Sequence, residues 1–107
     1  MAARVHLTVE AETDLFEIWR FVAENDSQAK ASTLLDNLET VCHNLSKTPN
    51  KRHVPKELRR IDIYDLREIH HKSYRILYGI DENRVLIHAI LDGRRDMKSL
   101  LRSRFLR

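Results

Sequence analysis

Tyr74-Arg75-Ile76-Leu77-Tyr78-Gly79-Ile80, then Arg84-Val85-Leu86-Ile87-His88-Ala89-Ile90-Leu91, then Asp92-Gly93-Arg94-Arg95-Asp96 is the stretch that decides the fold. The first two runs are built of β-branched, leucine and aromatic residues and read as strands, with Asp81-Glu82-Asn83 as a tight hairpin connection. A sheet interior has no use for an unpaired charge, so an arginine inside one run and an arginine pair just past the other are not explained by packing alone. Function is expected at this end of the sheet.

Upstream, Leu66, Glu68 and His70 alternate with Arg67, Ile69 and His71, which predicts a third strand leading into the hairpin. Leu58 to Tyr64 has no single period, and Pro49 to Lys56, with both prolines and four basic residues counting His53, is expected to be a loop. Before it lie two helical patterns. Leu15, Ile18, Trp19 and Val22 form one apolar stripe, with Thr8 as a cap and Glu10 and Glu12 set favourably in the first turn. Ala31, Leu34, Leu35, Leu38, Val41, Cys42 and Leu45 form a second stripe after Asp26 or Ser27, ending before Pro49. Arg4 to Val9 alternates loosely and reads as a short first strand. After Gly93, Asp96 can cap a terminal helix with Met97, Leu100, Leu101 and Phe105 opposite Lys98, Arg102 and Arg104. The expected fold is α+β, in the order βααβββ with a short C-terminal helix. An antiparallel sheet is backed on one face by a helical hairpin, and the other face is partly open and carries the basic residues.

The 107 residues, 42% apolar and 33% charged, suit one domain spanning 1–107 with a modest core. No apolar run is long enough to cross a membrane and the N-terminus lacks signal-peptide character, so a cytoplasmic protein is expected. The net charge of +3 hides an asymmetry: residues 1–48 hold four Lys/Arg against eight Asp/Glu, and residues 49–107 hold fifteen against eight. The basic half implies an anionic partner, nucleic acid or an acidic protein segment, or simply a solvated surface. Cys42 sits within the second apolar stripe and is expected to be a buried thiol. His6, His43, His53 and His88 are scattered, and His70 and His71 point to opposite sides of a strand, so no metal site is expected. No Gly-rich phosphate loop, Ser/His/Asp set or close carboxylate pair is present, which argues against an ordinary hydrolase or nucleotide enzyme and for no cofactor.

Arg75 reads equally as the partner of a nearby carboxylate or as an anion-binding group. Arg94 and Arg95 suit phosphate or carboxylate through their planar donors, although Asp92 and Asp96 could neutralise them. Trp19 and Phe21 flank the first helical stripe and are expected to pack; Tyr74 and Tyr78 share a strand face that should meet the helices.

Taken together, Leu7-Thr8 before Glu10-Ala11 and Asp14-Leu15, the Ile18 helix, Tyr74-Arg75-Ile76-Leu77-Tyr78 and Gly93-Arg94-Arg95-Asp96 resemble the ParE/RelE superfamily of small bacterial toxins from type II toxin–antitoxin operons, over nearly the whole chain. The resemblance implies the same βααβββ fold and a cognate antitoxin from the same operon, with Trp19, Arg75, Leu77 and His88 among the residues that meet it. RelE-like members cleave mRNA on the ribosome with lysines, arginines and a tyrosine on the sheet face. Arg75 and Arg95 match two of these positions and would be the catalytic groups of such a ribonuclease. The two lysine positions fall on Leu66 and Glu68 and the tyrosine position on Leu101, with Arg67, His70, His71 and Lys72 as neighbours that could stand in. ParE-like members resemble inhibitors of DNA gyrase and act through a protein surface. The arginine pair and the basic terminal helix favour the ParE-like reading, an inhibitor of a topoisomerase rather than a catalyst, with Arg94, Arg95, Lys98, Arg102 and Arg104 as the target-binding surface. A ribosome-dependent endoribonuclease and a non-toxic relative that only binds antitoxin are the alternatives.

Overall fold

The computed structural model describes residues 3–106. β1 (Arg4–Leu7) is followed by α1 (Val9–Asn25) and α2 (Gln28–Asn44), then a 3₁₀ turn (Pro49–Lys51) and the one-turn helix α3 (Lys56–Arg59). β2 (Leu66–His71), β3 (Tyr74–Asp81), β4 (Arg84–Asp92) and α4 (Met97–Phe105) complete the chain. The caps are those the sequence offers: Thr8 Oγ1 accepts from the Ala11 N–H, Ser27 Oγ from Lys30, and Asp96 Oδ1 from Ser99. α3 occupies part of the stretch that had no single period.

The sheet order is β1-β4-β3-β2. β2, β3 and β4 form the expected antiparallel meander, and β1 adds to it in parallel beside β4. That parallel pairing is possible because everything from α1 to β3 lies between the two strands: the helical hairpin and α3 carry the chain across to β2 at the far edge, and the meander brings it back to β4 beside β1. Both hairpins turn through a residue in the left-handed region, Lys72 at φ 55° and Glu82 at φ 54°.

The helical hairpin covers one face. Ala11, Leu15, Leu38, Cys42 and Leu45 pack there on Ile76, Tyr78, Val85, Ile87 and Ile90, with Tyr74 at the margin. Burial pushes the Cys42 thiol up to about 12, so it is an inert core group. The opposite face is more fully covered than the partly open surface expected. Leu58 of α3, Leu66, Leu77, Ala89 and Leu91 of the strands, and Met97 and Leu101 of α4 bury one another in a second core. The apolar side of α4 needed a surface to cover, and the leucines of β2, β3 and β4 supplied it.

Candidate functional site

At the margin of this second core, Arg75 and Leu77 share a strand face and differ in fate. Leu77 is fully buried. Arg75 retains 13% of its side-chain surface and lies between two carboxylates. Its Nη1 and Nη2 donate to Glu57 Oε2 and Oε1 at 2.8 Å each, and its Nε and Nη2 donate to Glu68 Oε1 and Oε2 at 2.7 and 3.1 Å. Both carboxylates are themselves largely covered, at 10% and 4% exposure. The guanidinium beside Glu57 holds that carboxyl down at about 2, and its two partners hold the guanidinium well above its ordinary range. His70 Nε2 lies 2.8 Å from Glu68 Oε1, and His53 Nε2 lies 3.7 Å from Oε2.

Geometry brings these groups together from three elements. β2 and β3 pair Glu68 with Leu77 and His70 with Arg75, so Glu68 lies diagonally across from Arg75. Glu57 arrives on α3, which Leu58 anchors to the sheet. Gly93 closes the other side: a Cβ there would stand 2.9 Å from Arg75 Cδ and from the Ser73 carbonyl oxygen, whereas the Gly93 N–H donates to that oxygen at 2.7 Å. The glycine of the Gly93-Arg94-Arg95-Asp96 run therefore makes room for Arg75.

Several expected site residues fall elsewhere than the sequence placed them. Arg75 is spent on Glu57 and Glu68 and is not a free cation on an open face. Leu77 lies under α4 and cannot meet a partner. Leu66 and Leu101 are core residues and Glu68 is buried, so all three positions that would hold the remaining RelE-type groups are sealed. Arg67, on the other side of β2, donates to the Arg52 carbonyl at 2.7 Å. His88 is half-buried with its ring nearly perpendicular to that of Phe105, centroids 6.3 Å apart, and burial lowers its tendency to protonate.

The basic C-terminal residues divide in the same way. Asp92 takes Arg94, with Nη2 to Oδ2 at 2.6 Å, and that contact holds the Asp92 carboxyl below its ordinary range. Asp96 serves as a cap. Arg95, Lys98 and Arg102 are exposed and have no carboxylate partner among the described residues. Arg104 belongs to the fold and not to the surface proposed for it. β1 ends at Leu7, so the following part of β4 lacks a strand beside it. There the Ile90 N–H donates to Asp14 Oδ2 at 2.9 Å, and Arg104 donates to both Asp14 oxygens and to the His88 carbonyl. A carboxylate from α1 and a guanidinium from α4 thus satisfy the main-chain groups a fifth strand segment would have taken.

A groove that the sequence did not reveal runs beside β1. Val5, Leu7, Leu15, Phe16, Trp19 and Leu35 line it, with Glu12, Glu39 and His6 at its rim, enclosing about 660 Å³. Trp19 is only half-buried, Phe16 is 56% exposed, and Phe21, which was expected to pack, is 65% exposed. The far edge of β1 pairs with no strand among the described residues. Among those residues there is also no cluster of histidine, cysteine and carboxylate groups able to hold a metal, and no helix long and apolar enough to cross a membrane.

Residues 5–97 match the model of a family described as the ParE toxin of the type II toxin–antitoxin system parDE. Over 98 residues the chain is 34% identical to Toxin ParE3 of Caulobacter vibrioides, covering 92% of this chain and 94% of that protein. Its fold is similar to a chain in the solved structure of the chromosomal ParDE system from P. aeruginosa, with a TM-score of 0.71 at 14% identity, covering 83% of this chain and 94% of that one. It is also similar to a chain of the toxin–antitoxin complex RelBE2 from Mycobacterium tuberculosis, with a TM-score of 0.64 at 20% identity over 86% and 92% of the two chains.

Proposed function

Because the chain belongs to the ParE family of type II toxin–antitoxin toxins, we propose that it inhibits DNA gyrase through its surface and is neutralised by a cognate antitoxin. The observation that carries this reading is the second core. Where a RelE-type ribonuclease needs proton-transferring and phosphate-binding groups, this chain has Leu66, Leu101 and a Glu68 bound to Arg75. Leucine moves no proton, and an arginine held by two carboxylates has little positive field left for a phosphate. Arg95, Lys98 and Arg102 are the exposed cations at the start and along the outer side of α4, and they are the proposed contact with the target, with the Asp92-bound Arg94 beside them.

The antitoxin would lay an apolar segment in the groove beside β1, with Phe16 and Trp19 as its chief contacts, folding as it binds. Glu12 and Glu39 at the rim favour a basic residue in that segment. An acidic portion of the same partner would be drawn to residues 49–107, which speeds encounter more than it adds affinity.

The test is plasmid supercoiling by purified gyrase with added toxin, scored for cleaved DNA with and without antitoxin. The expected result is cleavage that the antitoxin suppresses. Intact plasmid at a large excess of folded toxin, together with cleavage of mRNA on ribosomes, would overturn the reading.

A further inference from the structure

The outer side of α3 and α4 carries cations that nothing in the fold uses. Elsewhere, exposed Arg20, Lys30 and Arg84 each lie near a carboxylate, at 3.4, 3.3 and 2.9 Å. By contrast Arg52, Lys56, Arg59, Arg60, Lys98 and Arg102 are all exposed, and none has a carboxylate partner among the described residues. Among the described residues, Arg4, Lys47, Lys72 and Arg95 are unpaired too, but they fall on β1, after α2, in the β2–β3 turn and before the α4 cap.

Lys56 and Arg59 lie on α3, Arg60 is its C-cap, Lys98 and Arg102 lie on α4, and Arg52 lies in the segment leading to α3; the core beneath the two helices holds them side by side. Leu58 of α3 packs with Met97 and Leu101 of α4, which turns the polar sides of both helices outward together. The loop leading to α3 is pinned by the Tyr78 hydroxyl, which donates to the Pro49 carbonyl at 2.7 Å, by Arg67 on the Arg52 carbonyl, and by the Glu68 N–H on the His53 carbonyl at 3.0 Å. Glu57 and Glu68, the carboxylates within these elements, are turned inward to Arg75. Asp62 and Asp65, in the turn after α3, and Asp96, the cap of α4, are the exposed carboxylates nearest in sequence.

Where the exposed apolar side chains lie decides the kind of partner. Val9, Phe16 and Phe21, the anchors a protein partner would use, are on α1. Among the described residues, the exposed large apolar side chains outside α1 are Tyr64, after α3, and Leu106, at the end of α4. One tyrosine is short of the succession of aromatic platforms that holds a single strand. An arginine-rich, aromatic-poor surface on two short helices matches a phosphate backbone, which presents one charge per about 1.7 Å of duplex axis. α4, at nine residues, runs about 13 Å. We infer that the α3–α4 surface binds duplex DNA through its phosphates, without reading base sequence. This inference goes beyond the action on gyrase and does not require it.

The experiment is fluorescence anisotropy of a labelled DNA duplex titrated with the full chain, without gyrase, at several salt concentrations. Expected is weak binding with a dissociation constant of about 1 to 100 μM and a log–log salt slope of about −3 to −5, as for a few neutralised phosphates. Arg59→Glu/Arg60→Glu/Arg102→Glu should weaken it by about tenfold or more, while Arg20→Glu/Arg84→Glu leaves it within about twofold, both variants melting like the wild type. Absence of binding at low salt overturns the inference. So does tighter binding to the single strand, equal displacement by poly-glutamate at matched charge, or equal loss in the two variants. Since gyrase is absent, DNA binding and gyrase poisoning can fail separately.

Discussion

Arg75 and Glu57, eighteen residues apart, meet fork to fork with two N–H···O bonds of 2.8 Å, and Glu68 accepts from Nε and Nη2 of the same guanidinium. This cluster ties α3 to β2 and β3. It converts the arginine most suggestive of catalysis into part of the scaffold.

Arg75→Ala should therefore destabilise the chain by about 3–5 kcal/mol, because it leaves two covered carboxylates facing each other without a counter-charge. Chemical denaturation measures this directly. The midpoint should fall with little change in slope. Gly93→Ala should act on the same residue, since its methyl group would press on Arg75 Cδ.

Acid should loosen the same cluster. The Glu57 carboxyl is held at about 2, below its ordinary 4.5, so its contribution is present in full above about pH 4.5 and is lost as pH falls through 2. A thermal-melt series from pH 5 to 2 should show a decline that Glu57→Gln flattens; discounted for solvent screening, the difference is about 2 kcal/mol at most.

Asp14 and Arg104 hold α4 against α1 and β4. Arg104→Ala should cost about 1–3 kcal/mol and leave the Asp14 carboxylate without its cation. Leu101→Ala, in the core under the same helix, should cost about 2–5 kcal/mol. Hydrogen exchange should locate the first loss as faster exchange in α4 and at the Ile90 amide.

In the groove beside β1, Trp19→Ala and Phe16→Ala should each weaken antitoxin binding by tenfold or more, about 1.4 kcal/mol or above; Phe16→Ala, at an exposed position, should leave the melting of the free toxin nearly unchanged, whereas Trp19→Ala should also lower it because that ring is partly covered by the fold. Titration calorimetry of the two purified proteins is the check. Undiminished affinity in both variants would place the antitoxin on another surface.

Element order was legible because each segment carries its own signal: Thr8 and Ser27 as caps, the Leu15 and Leu38 stripes, and the β-branched runs around Ile76 and Ile87. The pairing of β1 with β4 was not, since four residues carry no information about their neighbour. The closed outer face was also hidden. Leu66, Leu77 and Leu101 are far apart in sequence, and only the docking of α4 makes them one core. Arg75 illustrates the same limit. Both a carboxylate partner and an anion site suited it, and the choice rested on Glu57 arriving from a stretch with no readable period. Phe21 was expected to pack because of its neighbours, yet its side chain falls just off the stripe that α2 and the sheet cover.

Arg75 is thus a structural cation, and the toxicity proposed for this chain is assigned to its surface. The most direct measurement replaces the cluster with neutral residues, Arg75→Met/Glu57→Leu/Glu68→Leu, which removes the guanidinium without stranding a charge. Growth arrest on induction is then compared with the wild type, after thermal melting has shown that the variant folds. The folded variant should still arrest growth and still be neutralised by antitoxin. A folded variant that has lost toxicity would contradict that assignment and return Arg75 to the active groups.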